Sequence, residues 1–101
     1  MKQTVKIADL IISANRDDVL ITYALGSCLG ITVYDPTTHV GGLLHLMLPD
    51  SSIDSVKAAQ NPYMFADTGV PELFLQCYKA GAQRDHVIVT AAGGACVQGG
   101  E

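Results

Sequence analysis

Long hydrophobic runs are missing from this chain. No stretch of about 18 apolar residues, the length that spans a bilayer, occurs in its 101 residues. The opening Met1-Lys2-Gln3-Thr4-Val5-Lys6 contains no apolar segment of signal-peptide length, so the expected location is cytoplasmic. Basic residues are scarce: 6 Lys and Arg against 10 Asp and Glu give a formal net charge of −4. That balance disfavours nucleic acid or an anionic membrane surface as a partner. The three cysteines, Cys28, Cys77 and Cys96, are odd in number, and neither a Cys-x-x-Cys nor a His-x-x-x-His spacing occurs. A disulfide framework or a zinc site is therefore not expected, and reduced thiols fit a reducing compartment. There are no repeats and no linker, so residues 1–101 make one domain at most.

What is present suits a packed core: 49% of residues are apolar and only 16% charged. Val5 and Ile7 alternate with polar residues, as in a short strand. Val19 to Ala24 and Leu29 to Tyr34 are β-rich runs on either side of a Gly26-Ser27-Cys28 turn. Asp35-Pro36-Thr37-Thr38-His39 is a second turn. Gly42 to Leu48 follows as a strand in which Leu43, His45 and Met47 share one face and Leu44, Leu46 and Leu48 the other. Both faces being apolar, this strand is expected in the centre of a sheet, covered on both sides. Pro49 to Pro62 is polar and reads as a long irregular loop. A helix is expected from Asp67 or Thr68, either of which can cap it, with Pro71 in its first turn. Val70, Leu73, Phe74, Cys77 and Tyr78 form its apolar stripe, and Gly81 ends it. Val87 to Thr90 is a further strand before a glycine-rich tail. The pattern predicts an α/β or α+β domain, with a mixed sheet and a helix packed on it.

The chemistry concentrates on Cys28 and His45. A cysteine in a Gly-Ser turn between two apolar runs lies at a strand end, where a thiol can face a substrate. A histidine within a strand can reach it if the two runs lie side by side. A free thiol is only a few per cent ionised at neutral pH, and a neighbouring imidazole that takes its proton makes a nucleophile. The imidazolium can then protonate a leaving amine or ammonia. The backbone N–H groups of Ser27 and Cys28 are candidate donors to the oxyanion. Against this stand plainer assignments: a free cysteine is usually a small buried hydrophobe, and a strand histidine a satisfied core residue. Cys77 fits the helix stripe and is expected in the core. His39 and His86 are expected on the surface. Cys96, in the glycine-rich end, carries no assigned role. Gly93-Gly94-Ala95 lacks the Lys-Ser/Thr of a P-loop and no helix pattern follows it, which argues against nucleotide binding.

Four segments resemble one family in order and spacing. They are Ile21-Thr22-Tyr23-Ala24-Leu25-Gly26-Ser27-Cys28, Val40 to Ser51 (VGGLLHLMLPDS), Phe65-Ala66-Asp67-Thr68 and Ala92-Gly93-Gly94-Ala95. Together they resemble the CheD chemoreceptor glutamine deamidases. The resemblance implies a β-sandwich flanked by helices, similar to the cytotoxic necrotizing factor deamidase toxins. It implies catalysis by Cys28 and His45, with Thr22 orienting the histidine, and no metal or cofactor. The implied substrates are glutamines of methyl-accepting chemotaxis receptors, converted to glutamate through a Cys thioester; glutamyl methyl esters are possible second substrates. The CheC phosphatase is an implied partner. Such domains run on past the Gly-Gly-Ala segment, so this chain is expected to lack the family's last strands. The alternative is a non-catalytic CheD-like module that binds chemoreceptors or CheC. A papain-like protease shares the chemistry but not the local signature around Cys28.

Overall fold

In the computed structural model, residues 1–94 are described. The chain runs β1 (Lys2–Thr4), β2 (Asp9–Ser13), β3 (Val19–Ile21), β4 (Leu29–Asp35), β5 (Val40–Leu46), α1 (Ser55–Gln60), α2 (Ala66–Lys79) and β6 (Ile88–Gly93). Four strands form an antiparallel sheet in the order β2-β5-β4-β6, while β1 and β3 pair in parallel as a separate two-stranded sheet. The architecture is α+β.

Strand β5 lies between β2 and β4, as its two apolar faces require. Gly42 shows which face is which. A Cβ there would fall 2.6–2.8 Å from Ile12 Cδ1, Leu73 Cδ1 and Cys77 Sγ, so Gly42 points at α2. By strand alternation Leu44 and Leu46 point the same way, and Leu43 and His45 point to the opposite face. The core on the α2 side is Val33, Val40, Leu44, Leu46, Leu73, Cys77 and Ala82, with Val70, Phe74 and Tyr78 packed at its margin. The expected helix stripe is thus the stripe that is buried.

Several expectations need correction. Strand β1 ends before Val5, although Val5 N–H still donates to Ile21 O at 2.8 Å, and Ile7 lies beyond it, exposed. Strand β2 went unmarked because Leu10-Ile11-Ile12 shows no alternation. Residues 49–62 are not irregular: they hold α1 and a 3-10 turn at Ser51–Ile53, with another at Pro62–Met64. Asx caps build them, with Asp50 accepting from Ser52 N–H, Asp54 from Lys57 N–H and Asn61 from Tyr63 N–H. Helix α2 begins at Ala66 behind Phe65, with no side-chain cap, so Pro71 falls in its second turn. Asp67 instead accepts from Ser51 N–H and Oγ–H, and Thr68 donates to Pro62 O, both tying the helix to the preceding segment. At its end, Gly81 adopts φ +119° as expected. The last strand is Ile88–Gly93, starting one residue later and running three further than the sequence pattern marks.

Asp35 closes the β4–β5 hairpin. It is fully enclosed. Burial pulls its carboxyl upward, but the backbone N–H groups of Gln83, Thr37 and Thr38 outweigh that and hold it below the usual carboxylate range.

Candidate active site

His45 is the penultimate residue of β5, on the sheet face away from α2, and is 1% exposed. Its register neighbours are Asp9 on β2 and Gly30 on β4. Asp9 turns its carboxylate onto its own strand, with Oδ1 accepting from Leu10 N–H. Gly30 leaves room: a Cβ there would lie 3.3 Å from Leu25 and 3.6 Å from Thr22 Cγ2. Thr22, just past β3, fills that space and brings its Oγ1 to 2.8 Å from His45 Nδ1.

The proton on that contact can be assigned. Thr22 has one hydroxyl hydrogen, and it is donated to Val5 O at 2.7 Å. Toward the ring Thr22 Oγ1 can therefore only accept, so Nδ1 carries hydrogen. The neutral ring then has its lone pair on Nε2. Nε2 is buried and has no hydrogen-bond partner among the described residues. A buried polar atom left unsatisfied is uncommon in folded proteins and often marks a functional position. The ring borders a shallow open hollow lined by Thr4, Val5, Lys6, Ile7 and Tyr23.

Cys28 ends the turn that leads into β4. Its N–H donates to Leu25 O at 2.7 Å, and Ala24 and Gly26 take φ values of +54° and +53°. The thiol is half-buried. It lies two residues before Gly30, the cross-strand neighbour of His45, and directly before the first residue of β4. The structure brings Thr22 and His45 into hydrogen-bond contact; between Cys28 and His45 there is no hydrogen bond. The turn bond also bears on the oxyanion donors. Cys28 N–H is committed to Leu25, whereas Ser27 N–H donates to no backbone acceptor among the described residues.

The remaining candidates separate cleanly. Cys77 is fully buried against Gly42 and Leu73, and burial pushes its thiol up to about 11. His39 is half-buried rather than exposed, because φ +61° turns it back so that Nδ1 meets Tyr34 Oη at 3.2 Å. His86 is exposed. Cys96 lies outside the described residues. No group of three or more His, Cys, Asp or Glu is placed to hold a metal among the described residues. No helix there is long and apolar enough to cross a membrane. Sequence reasoning could not find the contribution of Val5, because it acts through its carbonyl and carries no side-chain signal.

Residues 47–101 match the family model described as CheD chemotactic sensory transduction. A protein of Syntrophus aciditrophicus named "Probable chemoreceptor glutamine deamidase CheD 1" is 57% identical over 93 residues, which is 92% of this chain and 58% of that protein. This chain belongs to the CheD family. A relative from Solibacter usitatus, "Probable chemoreceptor glutamine deamidase CheD", is 53% identical over 91 residues, covering 90% of this chain and 54% of its own length. A third, from Anaeromyxobacter dehalogenans and named "Probable chemoreceptor glutamine deamidase CheD 2", is 42% identical over 91 residues, 57% of its length. The chain thus spans somewhat over half the length of these CheD relatives. The family-model match begins after Thr22, Cys28 and His45, so the resemblance around those three rests on the relatives that cover nine-tenths of the chain.

Proposed function

We propose that this CheD chain carries a cysteine-dependent amidohydrolase site that converts chemoreceptor glutamines to glutamate. The observation that supports this most is the Val5–Thr22–His45 arrangement, which leaves Nε2 of a buried histidine as an unpartnered base, on the residue that pairs with Gly30 of β4, two positions from Cys28. In the proposed reaction His45 Nε2 takes the Cys28 thiol proton. Cys28 Sγ bonds to the side-chain carbonyl carbon, and the oxyanion accepts from Ser27 N–H. The C–N bond breaks, and ammonia leaves with the proton from His45. Water then gives a proton to Nε2 and its oxygen to the thioester carbon; the C–S bond breaks, glutamate is released and the thiol is restored. Thr22 stays hydrogen-bonded to Nδ1 throughout and fixes the ring. A glutamyl methyl ester would give the same acyl-enzyme, so ester hydrolysis belongs to the proposal. The receptor substrate follows from the relatives' names, and binding of the CheC phosphatase from the family resemblance.

The test is mass spectrometry of a chemoreceptor cytoplasmic fragment incubated with this chain, beside Cys28→Ala. Glutamine-to-glutamate conversion by the native chain alone supports the reading. Binding without conversion by either protein would replace it with the non-catalytic module, and cleavage of the substrate backbone would indicate a protease instead.

A further inference from the structure

The glycines that close β6 lie against the turn that carries Cys28. Gly93 is the last register partner on that strand, opposite Leu29, and Gly94 N–H donates to Cys28 O at 2.7 Å. A Cβ on Gly93 would fall 2.4 Å from Cys28 O and 3.0 Å from Leu25 Cβ. One of those atoms is backbone and the other is the root of a side chain, so neither can move aside cheaply. Gly93 and Gly94 also adopt φ values of +95° and +74°, which L side chains rarely take. Leu25 is the acceptor that closes the same turn, by way of Cys28 N–H. Both ends of the turn therefore rest on the end of β6. The bond from Gly94 N–H extends the β4–β6 ladder one step past Gly93, and every residue of β6 is exposed.

We propose that Gly93 and Gly94 are positioning residues for the nucleophile: together they brace the carbonyl of Cys28 and so fix the direction of its Cα–Cβ bond toward His45. The brace rests on the cysteine-hydrolase reading for its purpose, though its geometry stands without it. Cys28 lies outside any regular element, and a catalytic side chain there needs support from its surroundings to stay within a fraction of an ångström of its working place. The sheet supplies that support through a segment 65 residues further along the chain.

The test is a double-mutant cycle on thiol reactivity, read by peptide mapping after brief alkylation of the 101-residue chain at neutral pH. In the native chain, His45→Asn is expected to slow labelling of Cys28 roughly tenfold, since an unassisted thiol is only a few per cent ionised. In Gly93→Ala, His45→Asn is expected to change it little, because the thiol no longer addresses the ring. An equal His45 effect in both backgrounds, with Gly93→Ala folded, would overturn the brace. On the receptor fragment, Gly93→Ala should lower kcat about 100-fold with KM nearly unchanged. A rise in KM alone would contradict positioning. If Gly93→Ala fails to fold, amide exchange of the native chain decides: the Gly94 amide should be protected, and exchange at the rate of an open loop would reject the bond to Cys28 O. A native chain without deamidase activity would sink the functional reading and leave the labelling cycle and the exchange measurement to judge the brace.

Discussion

Thr22 Oγ1 lies 2.8 Å from His45 Nδ1 while giving its own hydrogen to Val5 O at 2.7 Å. One hydroxyl thus fixes which ring nitrogen is protonated, and a backbone carbonyl just past the end of β1 fixes the hydroxyl. Thr22→Val keeps the shape and removes both bonds, leaving Nδ1 without a partner in a buried site. Losing a buried hydrogen bond of this kind costs about 1–3 kcal/mol, so kcat should fall roughly 10- to 100-fold. Thr22→Ser should recover most of it. Equal loss in both variants would show that the methyl group matters and the hydroxyl does not.

The two thiols within the described residues should differ sharply in reactivity. Cys28 is half-buried at a turn, whereas Cys77 is enclosed by the core and its thiol is pushed up to about 11. Alkylation near neutral pH should label Cys28 well before Cys77. Peptide mapping that finds Cys77 labelled first would argue against a reactive Cys28 and against the packing of α2.

How much of this was legible in the sequence depends on the kind of interaction. The helix stripe from Val70 to Tyr78 follows from side-chain periodicity, and the central position of β5 from the apolarity of both its faces; burial imposes both directly. Strand β2 was invisible because Leu10-Ile11-Ile12 is short and unalternating. The segment capped by Asp50, Asp54 and Asn61 reads as loop because each cap organises only three to six residues. At the site, Cys28 and His45 stand out by residue type. Thr22 was marked only by family resemblance, because nothing local separates it from any strand threonine. The roles of Val5 O, Cys28 O and Gly94 N–H lie in backbone atoms, on which residue type is silent.

Gly42 should be intolerant of any side chain. Its would-be Cβ meets Ile12, Leu73 and Cys77 at 2.6–2.8 Å, and the last two are fully buried. Gly42→Ala would push α2 off the sheet or force these side chains from their rotamers. The expected loss is about 1–3 kcal/mol, read as a lower denaturant midpoint. An unchanged midpoint would mean that the helix packs more loosely than described.

Cys77 should also give the chain an alkaline weakness of definite sign. Its ordinary value is 9.0, and burial raises it to about 11 in the folded chain. Between these values the unfolded chain has lost the proton and the folded chain has kept it. The unfolded state then binds fewer protons, so stability falls as pH rises. The contribution is fully present below pH 9 and is lost as pH climbs toward about 11. Lysines and tyrosines titrate in the same range, so the informative quantity is a difference. In a Cys28→Ala background, denaturant midpoints from pH 8 to 11 are compared with and without Cys77→Ala. Removing the buried sulfur should lower stability by about 1 kcal/mol at neutral pH through the cavity it leaves. That penalty should shrink as the pH rises past 9, because the variant has no thiol to keep protonated. A gap of constant size up to pH 11 would show that the Cys77 thiol does not set this dependence.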